Sequence, residues 1–250
     1  MEQLFKLLLL FFVGSVAGFI NVMAGGGSTI TLPTLIFLGL NSSLANGTNR
    51  IGIFIQNISG ILSFRQEKYH EFKTSLKLAS FTLPGAIVGS LVAINISDTL
   101  FQKILAYVLI GIIVSLLVPR PHKKKIEDDD HHQKNQFIYP AMVLIGFYGG
   151  FIQAGVGFII MASLSHLTRL DLIHVNMHKI FIVFIYTIPA LSIFLLTHNV
   201  DLKFGLTLAA GNAFGAWWSA KLSIRKGEGI IKILLMVAIF IMSMKLLNII

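Results

Sequence analysis

The feature that most limits this chain is a succession of apolar stretches about 20 residues long, with Lys and Arg collected in the short loops between them. A helix of roughly 20 residues crosses a hydrocarbon core about 30 Å thick. Only helices and closed barrels satisfy every backbone polar group inside lipid, and apolar runs this long fit helices. Hydrophobic residues make up 55% of the chain and charged residues 12%, whereas a soluble domain is about 25% charged. Lipid, not water, is therefore the expected solvent, and the fold class is an all-α polytopic membrane protein.

The net charge of +9 does not point to nucleic acid, because the basic residues sit between apolar segments instead of on one soluble face. With no cysteine, a disulfide framework, a thiolate metal site and a cysteine nucleophile are excluded. There is no P-loop, dinucleotide fingerprint or serine–histidine–acid arrangement, which argues against an ATP-driven pump and against an enzyme. No cofactor is implied. The run Asp128 to His132 reads as solvated charge, since no spacing in it fixes a metal geometry.

Apolar length between Gly, Pro and charged punctuation predicts a first helix over residues 4–24 and a short Gly-led segment over 25–40. Helices over 45–64, 75–96 and 100–118 follow. Residues 7–13, after Lys6, have the outline of a signal peptide, but the apolar pattern runs on to Ala24 and is read as a retained helix. A solvated linker, PRPHKKKIEDDDHHQKNQ, occupies 119–136. The pattern then restarts: a long segment over 137–156, a short one over 157–170, and helices over 174–196, 203–221 and 230–250.

Two repeats are therefore expected, 1–118 and 137–250, each of four to five membrane segments with one short Gly-interrupted segment. Gly14, Gly18, Phe19, Ile20 and Asn21 recur as Gly146, Gly150, Phe151, Ile152 and Gln153, and Gly85 and Gly89 recur as Gly211 and Gly215. Loops 65–77, 119–136 and 221–232 carry four, five and four basic residues, against one each beside Asp98 and Asp201. The three basic loops are expected in the cytoplasm of a bacterial inner membrane. That places the halves as inverted repeats, with each short segment completing a crossing. A parallel four-plus-four arrangement with re-entrant short segments fits the same segment order.

The stretch AGGGSTITLP, residues 24–33, is the most informative. Each glycine weakens a helix by about 1 kcal/mol relative to alanine, so a break is expected through Gly25, Gly26 and Gly27. Broken backbone in a membrane needs protein or a water-filled cavity to satisfy it. A helix restarting at Ser28 would offer free N–H groups and the positive end of its dipole, beside the Ser28 and Thr29 hydroxyls, to an anion. Close helix packing is the alternative use of such glycines. In the second half Gln153, Gly155 and Gly157 hold the corresponding place, with a weaker expected break.

Thr48 and Asn49 are expected as caps of the next helix, with Arg50 near its start and Lys179 as its counterpart in NMHK. Two such cations could draw an anion inward, or snorkel to the interface. No carboxylate lies inside a long apolar segment: Asp98, Asp171, Asp201 and Glu228 fall in predicted loops. Any proton carried with the substrate would fall to His166, His174, His178 or the substrate itself. Trp217 and Trp218 fit an interfacial belt.

The segment GxxxGFINVMAGGGSTITLPTLIFLGL, residues 14–40, followed by LANGTNRIGI, residues 44–53, resembles the sulfite exporter TauE/SafE family of membrane transporters. The GxxxG of Gly85 and Gly89, the charged linker and the weaker second copy also fit. The resemblance implies a secondary transporter or exporter of sulfite, sulfonates or related organic anions, with Gly25, Gly26, Gly27, Thr48 and Asn49 at the motif positions. In the second half GVGF replaces the Gly-rich turn and MHK stands where Thr-Asn belongs, which weakens the carry-over there. The leading expectation is alternating access around the two breaks, with a small anion and the lipid bilayer as partners. The rivals are a passive anion channel and a membrane assembly factor such as a cytochrome-maturation component. Substrate, direction, coupling ion and oligomeric state are not fixed by the sequence.

Overall fold

The computed structural model describes residues 1–66, 71–117, 137–168, 170, 172–222, 236, 239–247 and 249. Linker 119–136, with the run Asp128 to His132, lies outside these residues, as do Asp171 and Glu228. The described part is helical and contains no strand: α1 Glu2–Ala24, α2 Ser28–Phe37, α3 Ser42–Gln66, α4 Phe72–Asn95, α5 Asp98–Leu117, α6 Ile138–Phe151, α7 Val156–Leu167, α8 Leu172–Leu196 and α9 Leu202–Leu222. Residues 239–246, part of the last expected segment, are also helical. Four of these helices (α1, α4, α5 and α8) are long and apolar enough to cross a membrane. The chain is a polytopic helical membrane protein.

Its exterior is apolar, as lipid requires. Leu4, Phe5, Leu8, Phe12 and Val16 on α1, Val88 and Leu91 on α4, and Val114 and Leu117 on α5 are all exposed. The polarity is inside, and it concentrates on α3, where Asn46, Thr48, Asn49, Arg50, Gln56 and Asn57 are buried. This helix is the central one, packed against both α8 and α9. Two apolar clusters flank it. One gathers Leu10, Leu32, Leu35, Phe101, Leu105 and Leu109 around α1, α2 and α5. The other gathers Leu78, Met142, Ile160, Leu164 and Ile182 around α4, α6, α7 and α8.

Two helix pairs approach closely enough that only glycine fits, which in lipid replaces hydrophobic driving force with van der Waals packing. In the first, a Cβ on Gly18 of α1 would lie 2.2 Å from the Asn212 carbonyl oxygen, and one on Gly215 of α9 1.8 Å from that of Ser15. In the second, a Cβ on Gly85 of α4 would lie 2.1 Å from the Val143 oxygen, and one on Gly150 of α6 2.2 Å from that of Ala86. Each pair joins a helix before the linker to one after it.

Neighbouring residues also give chain direction. Contacts of Gly14 with Leu208 and of Gly18 with Asn212 make α1 and α9 parallel, and those of Gly146 with Thr82 and Gly150 with Ala86 make α6 and α4 parallel. Gly47 lies against Phe194 and Gly60 against Ile180, so α3 and α8 run antiparallel. The start of α3 meets the turn between α4 and α5, where the Ser42 N–H donates to Asp98 Oδ1 at 2.5 Å. The Asp201 carboxylate caps α9 by accepting from the Phe204 N–H at 2.9 Å.

Two expectations change. The helix α3 begins at Ser42, so Thr48 and Asn49 lie well inside it and are not caps. The first long segment of the second half stops at Phe151 instead of running to Val156. Past the first break the chain turns back on α1, where Gly27 packs on the Ala17 carbonyl and Asn21.

Candidate functional site

The break after α1 forms as the glycines dictate. Gly25 takes the left-handed conformation at φ 85° and its N–H donates to the Asn21 carbonyl at 3.0 Å, closing the helix. The chain turns through Gly26 and Gly27 and restarts at Ser28. The Thr29 and Ile30 N–H groups are already taken by the Gly26 and Gly27 carbonyls, and the Thr29 hydroxyl by the Gly26 carbonyl at 2.5 Å. That corrects the expectation of a fully open helix start with Thr29 as a free donor. Among the described residues the N–H groups of Gly26, Gly27 and Ser28 are left without an acceptor.

The break after α6 is as sharp as the first, against the expectation of a weaker one. Gln153, a non-glycine, is left-handed at φ 64°, and Gly155 follows at φ 71°. The Tyr148 hydroxyl closes the turn by donating to the Ala154 carbonyl.

The two breaks meet. A Cβ on Gly157 would lie 2.2 Å from the Gly25 carbonyl oxygen. Ser28 bridges them, donating to the Gln153 carbonyl at 3.1 Å and accepting from the Gly155 N–H at 3.2 Å. Beside this junction lies a small cavity bordered by Asn21, Gly25, Ser28, Asn57, Gln153, Gly157 and Lys179.

Both expected cations are in the interior instead of snorkelling to an interface. Arg50 is 0% and Lys179 2% exposed. Arg50 donates through Nη1 to the Gly149 carbonyl at 3.2 Å, and through Nη2 to the Gly150 carbonyl at 2.5 Å and Asn46 Oδ1 at 3.3 Å. Asn46 Nδ2 donates to the Phe151 carbonyl at 2.7 Å. These donors cap the end of α6, where unpaired carbonyls carry the negative end of the dipole. The end of α1 is treated likewise: Lys179 Nζ donates to the Asn21 carbonyl at 3.0 Å and Asn176 Nδ2 to that of Val22 at 3.0 Å. Neither cation is ion-paired among the described residues.

The remaining expected residues divide. Asn49 Oδ1 accepts from the Thr31 hydroxyl at 2.6 Å, while its buried Nδ2 has no partner among the described residues. Gln153 Nε2 reaches Thr187 at 3.3 Å, leaving Oε1 without a partner among the described residues. Thr48 lies away from the cavity, its hydroxyl accepting from the Asp201 N–H at 2.9 Å. His178 also lies elsewhere, with Nδ1 2.7 Å from the Ser75 hydroxyl.

Sequence reasoning missed Asn21, Asn46, Asn57 and Asn176 as members of the site. The spacing of Asn46, Arg50, Ile53 and Asn57 is that of one helix face, and that period was the available signal.

The sulfite exporter TauE/SafE family model matches residues 10–246, which takes in both breaks and both buried cations. The chain belongs to this family. It is a family of membrane transporters, not of enzymes. Among similar TauE/SafE proteins is a probable membrane transporter protein of Haemophilus influenzae, 28% identical over 96% of this chain and 94% of that protein. Another is the probable membrane transporter protein ORF9 of a Sinorhizobium species, 29% identical over 97% of this chain and 93% of its own length. The probable membrane transporter protein YfcA of Escherichia coli K12 is 26% identical over 95% and 88%. No solved structure matches the chain.

Proposed function

We propose that this TauE/SafE protein is a secondary transporter that exports small anions, with sulfite, sulfonates and related organic anions as its substrates, by alternating access around the junction of the two breaks. The observation that carries the reading is Lys179. It is a buried cation with no carboxylate partner among the described residues, bordering a small cavity between two helix breaks that Asn21, Ser28, Asn57 and Gln153 also line. A buried charge is costly unless compensated, and a mobile anion supplies the compensation. The free N–H groups of Gly26, Gly27 and Ser28 add donors near the same junction.

Alternating access needs two halves that can exchange roles. The order α1–α4 matches α6–α9 in the position of the break and in glycine pairing, α3 and α4 are close to α8 and α9 in length, and α3 runs antiparallel to α8. These correspondences support inverted repeats over 1–118 and 137–250. They also set the ends of α3, α5 and α9, from which the basic loops leave, on one face of the bundle. That supports a cytoplasmic linker and a bacterial inner membrane.

The test is binding and flux of sulfite, methanesulfonate, sulfate and small carboxylates with purified protein in liposomes, repeated with Asn49→Ala and Gly26→Leu. Gradient-driven accumulation of one of these anions, with binding lost in both variants, is the expected result. Equilibration without accumulation would make the protein a passive channel. No flux of any anion through folded protein would end the transport reading and favour an assembly role.

A further inference from the structure

Away from the cavity, the starts of α4 and α8 hold a second polar cluster. The side chain of His178 is 0% exposed, and its Nε2 lies 3.7 Å from Glu71 Oε2. That distance is too long for a hydrogen bond, so Nε2 has no hydrogen-bond partner among the described residues. Its Nδ1 lies 2.7 Å from Ser75 Oγ. Glu71 is 48% exposed, and a small cavity bordered by Glu71, Ser75, Met177 and Phe181 opens beside the pair. With Nδ1–H donating to Ser75, Nε2 is free to accept a proton, and the half-exposed carboxylate is placed to deliver it.

We propose that His178, Ser75 and Glu71 form a proton-binding site linked along α8 to the anion cavity, so that proton and anion are carried together. This names the coupling ion of the transport reading above and rests on it. His178 and Lys179 are consecutive residues whose side chains diverge, one to α4 and the other to the Asn21 carbonyl of α1. Protonating His178 puts two positive charges in one turn of a low-dielectric interior. An anion beside Lys179 offsets their repulsion, and the proton in turn strengthens the pull on the anion. Linkage makes the two effects equal.

Other charged and titratable groups among the described residues stand around this pair. Glu71, just before α4, faces the ring, and on α4 Lys73 is exposed and Lys77 lies over the Tyr139 ring. Arg65 on α3 and His166 on α7 are exposed, and His174 precedes His178 by one turn of α8.

The experiment is calorimetric titration of methanesulfonate, which stays a monoanion throughout, into the whole protein in detergent from about pH 5.5 to about pH 8. Wild type is expected to bind about fivefold or more tightly at the acid end, and to take up protons on binding, read with a pH dye in weak buffer. His178→Gln is expected to bind the anion with neither pH slope nor proton uptake. Should that variant fail to fold, Glu71→Gln, at a half-exposed side chain, is expected to lower the slope and so carries the same readout. A His178→Gln or Glu71→Gln protein with the full wild-type slope would assign the titration to Lys179 and overturn the proposal. Wild-type binding without proton uptake would do the same. No anion binding at any pH would overturn the anion reading itself, and this proposal with it.

Discussion

The chain interrupts its helical path after α1 and again after α6, and both interruptions turn through left-handed backbone, at one residue in the first and at two in the second. After α1 a run of three glycines supplies the left-handed turn at Gly25. After α6 Gln153 is held left-handed, a conformation that costs a non-glycine residue about 1–2 kcal/mol. Local propensity makes the first break. Contacts make the second: Tyr148 and Ser28 on the backbone, Thr187 on the Gln153 side chain, and Arg50 with Asn46 on the last carbonyls of α6. The first would bend almost anywhere, whereas the second depends on its neighbours.

The largest expected effect follows from how each break is stapled. Arg50 satisfies three acceptors and Lys179 one carbonyl. Hydrogen bonds to charged groups contribute about 1.5–3 kcal/mol each. Arg50→Met should therefore destabilise the protein by about 3 kcal/mol or more, and Lys179→Met by less, measured as unfolding in detergent. Anion binding should follow the reverse order, with Lys179→Met losing it. Equal stability losses would show that the α6 break does not lean on Arg50.

The junction is the next place to probe. A Cβ on Gly157 would meet backbone oxygen of Gly25, which no rotamer change relieves. Overpacking of this kind costs about 1–3 kcal/mol, so Gly157→Ala should destabilise by about that amount and abolish flux by prising the breaks apart. Ser28→Ala removes one donor and one acceptor between the breaks and should cost about 1–2 kcal/mol. Wild-type stability and flux in both variants would mean that the breaks move independently.

The same contrast explains what could be read before the structure. Apolar length located the helices, because a span length is a local property. The triple glycine located the first break for the same reason. Thr48 and Asn49 were misread as caps because α3 starts at Ser42, upstream of the motif, where its N-terminus is anchored on Asp98 from a distant turn. The pairing of Lys179 with Asn21, 158 residues apart, has no local signal at all. A face of α3 carrying Asn46, Arg50 and Asn57 was legible from helical period alone, since polar residues so spaced in a lipid-bathed chain must turn inward.

The smallest expected effect is the one that separates the two breaks most cleanly. Gln153→Gly would relieve the left-handed strain but release the contact with Thr187, two terms of similar size and opposite sign. Its stability should lie within about 1 kcal/mol of wild type. The reciprocal change, Gly25→Gln, adds the strain and places a Cβ 3.0 Å from the Gly157 backbone with nothing gained. It should cost about 2 kcal/mol. If Gln153 is instead kept because its side chain faces the substrate, Gln153→Gly will fold normally and bind anion more weakly, while Gln153→Asn, which tolerates the left-handed region and keeps the amide, will restore part of the binding. A Gln153→Gly protein with wild-type stability and wild-type affinity would leave the second break with a shape requirement only, as at Gly25.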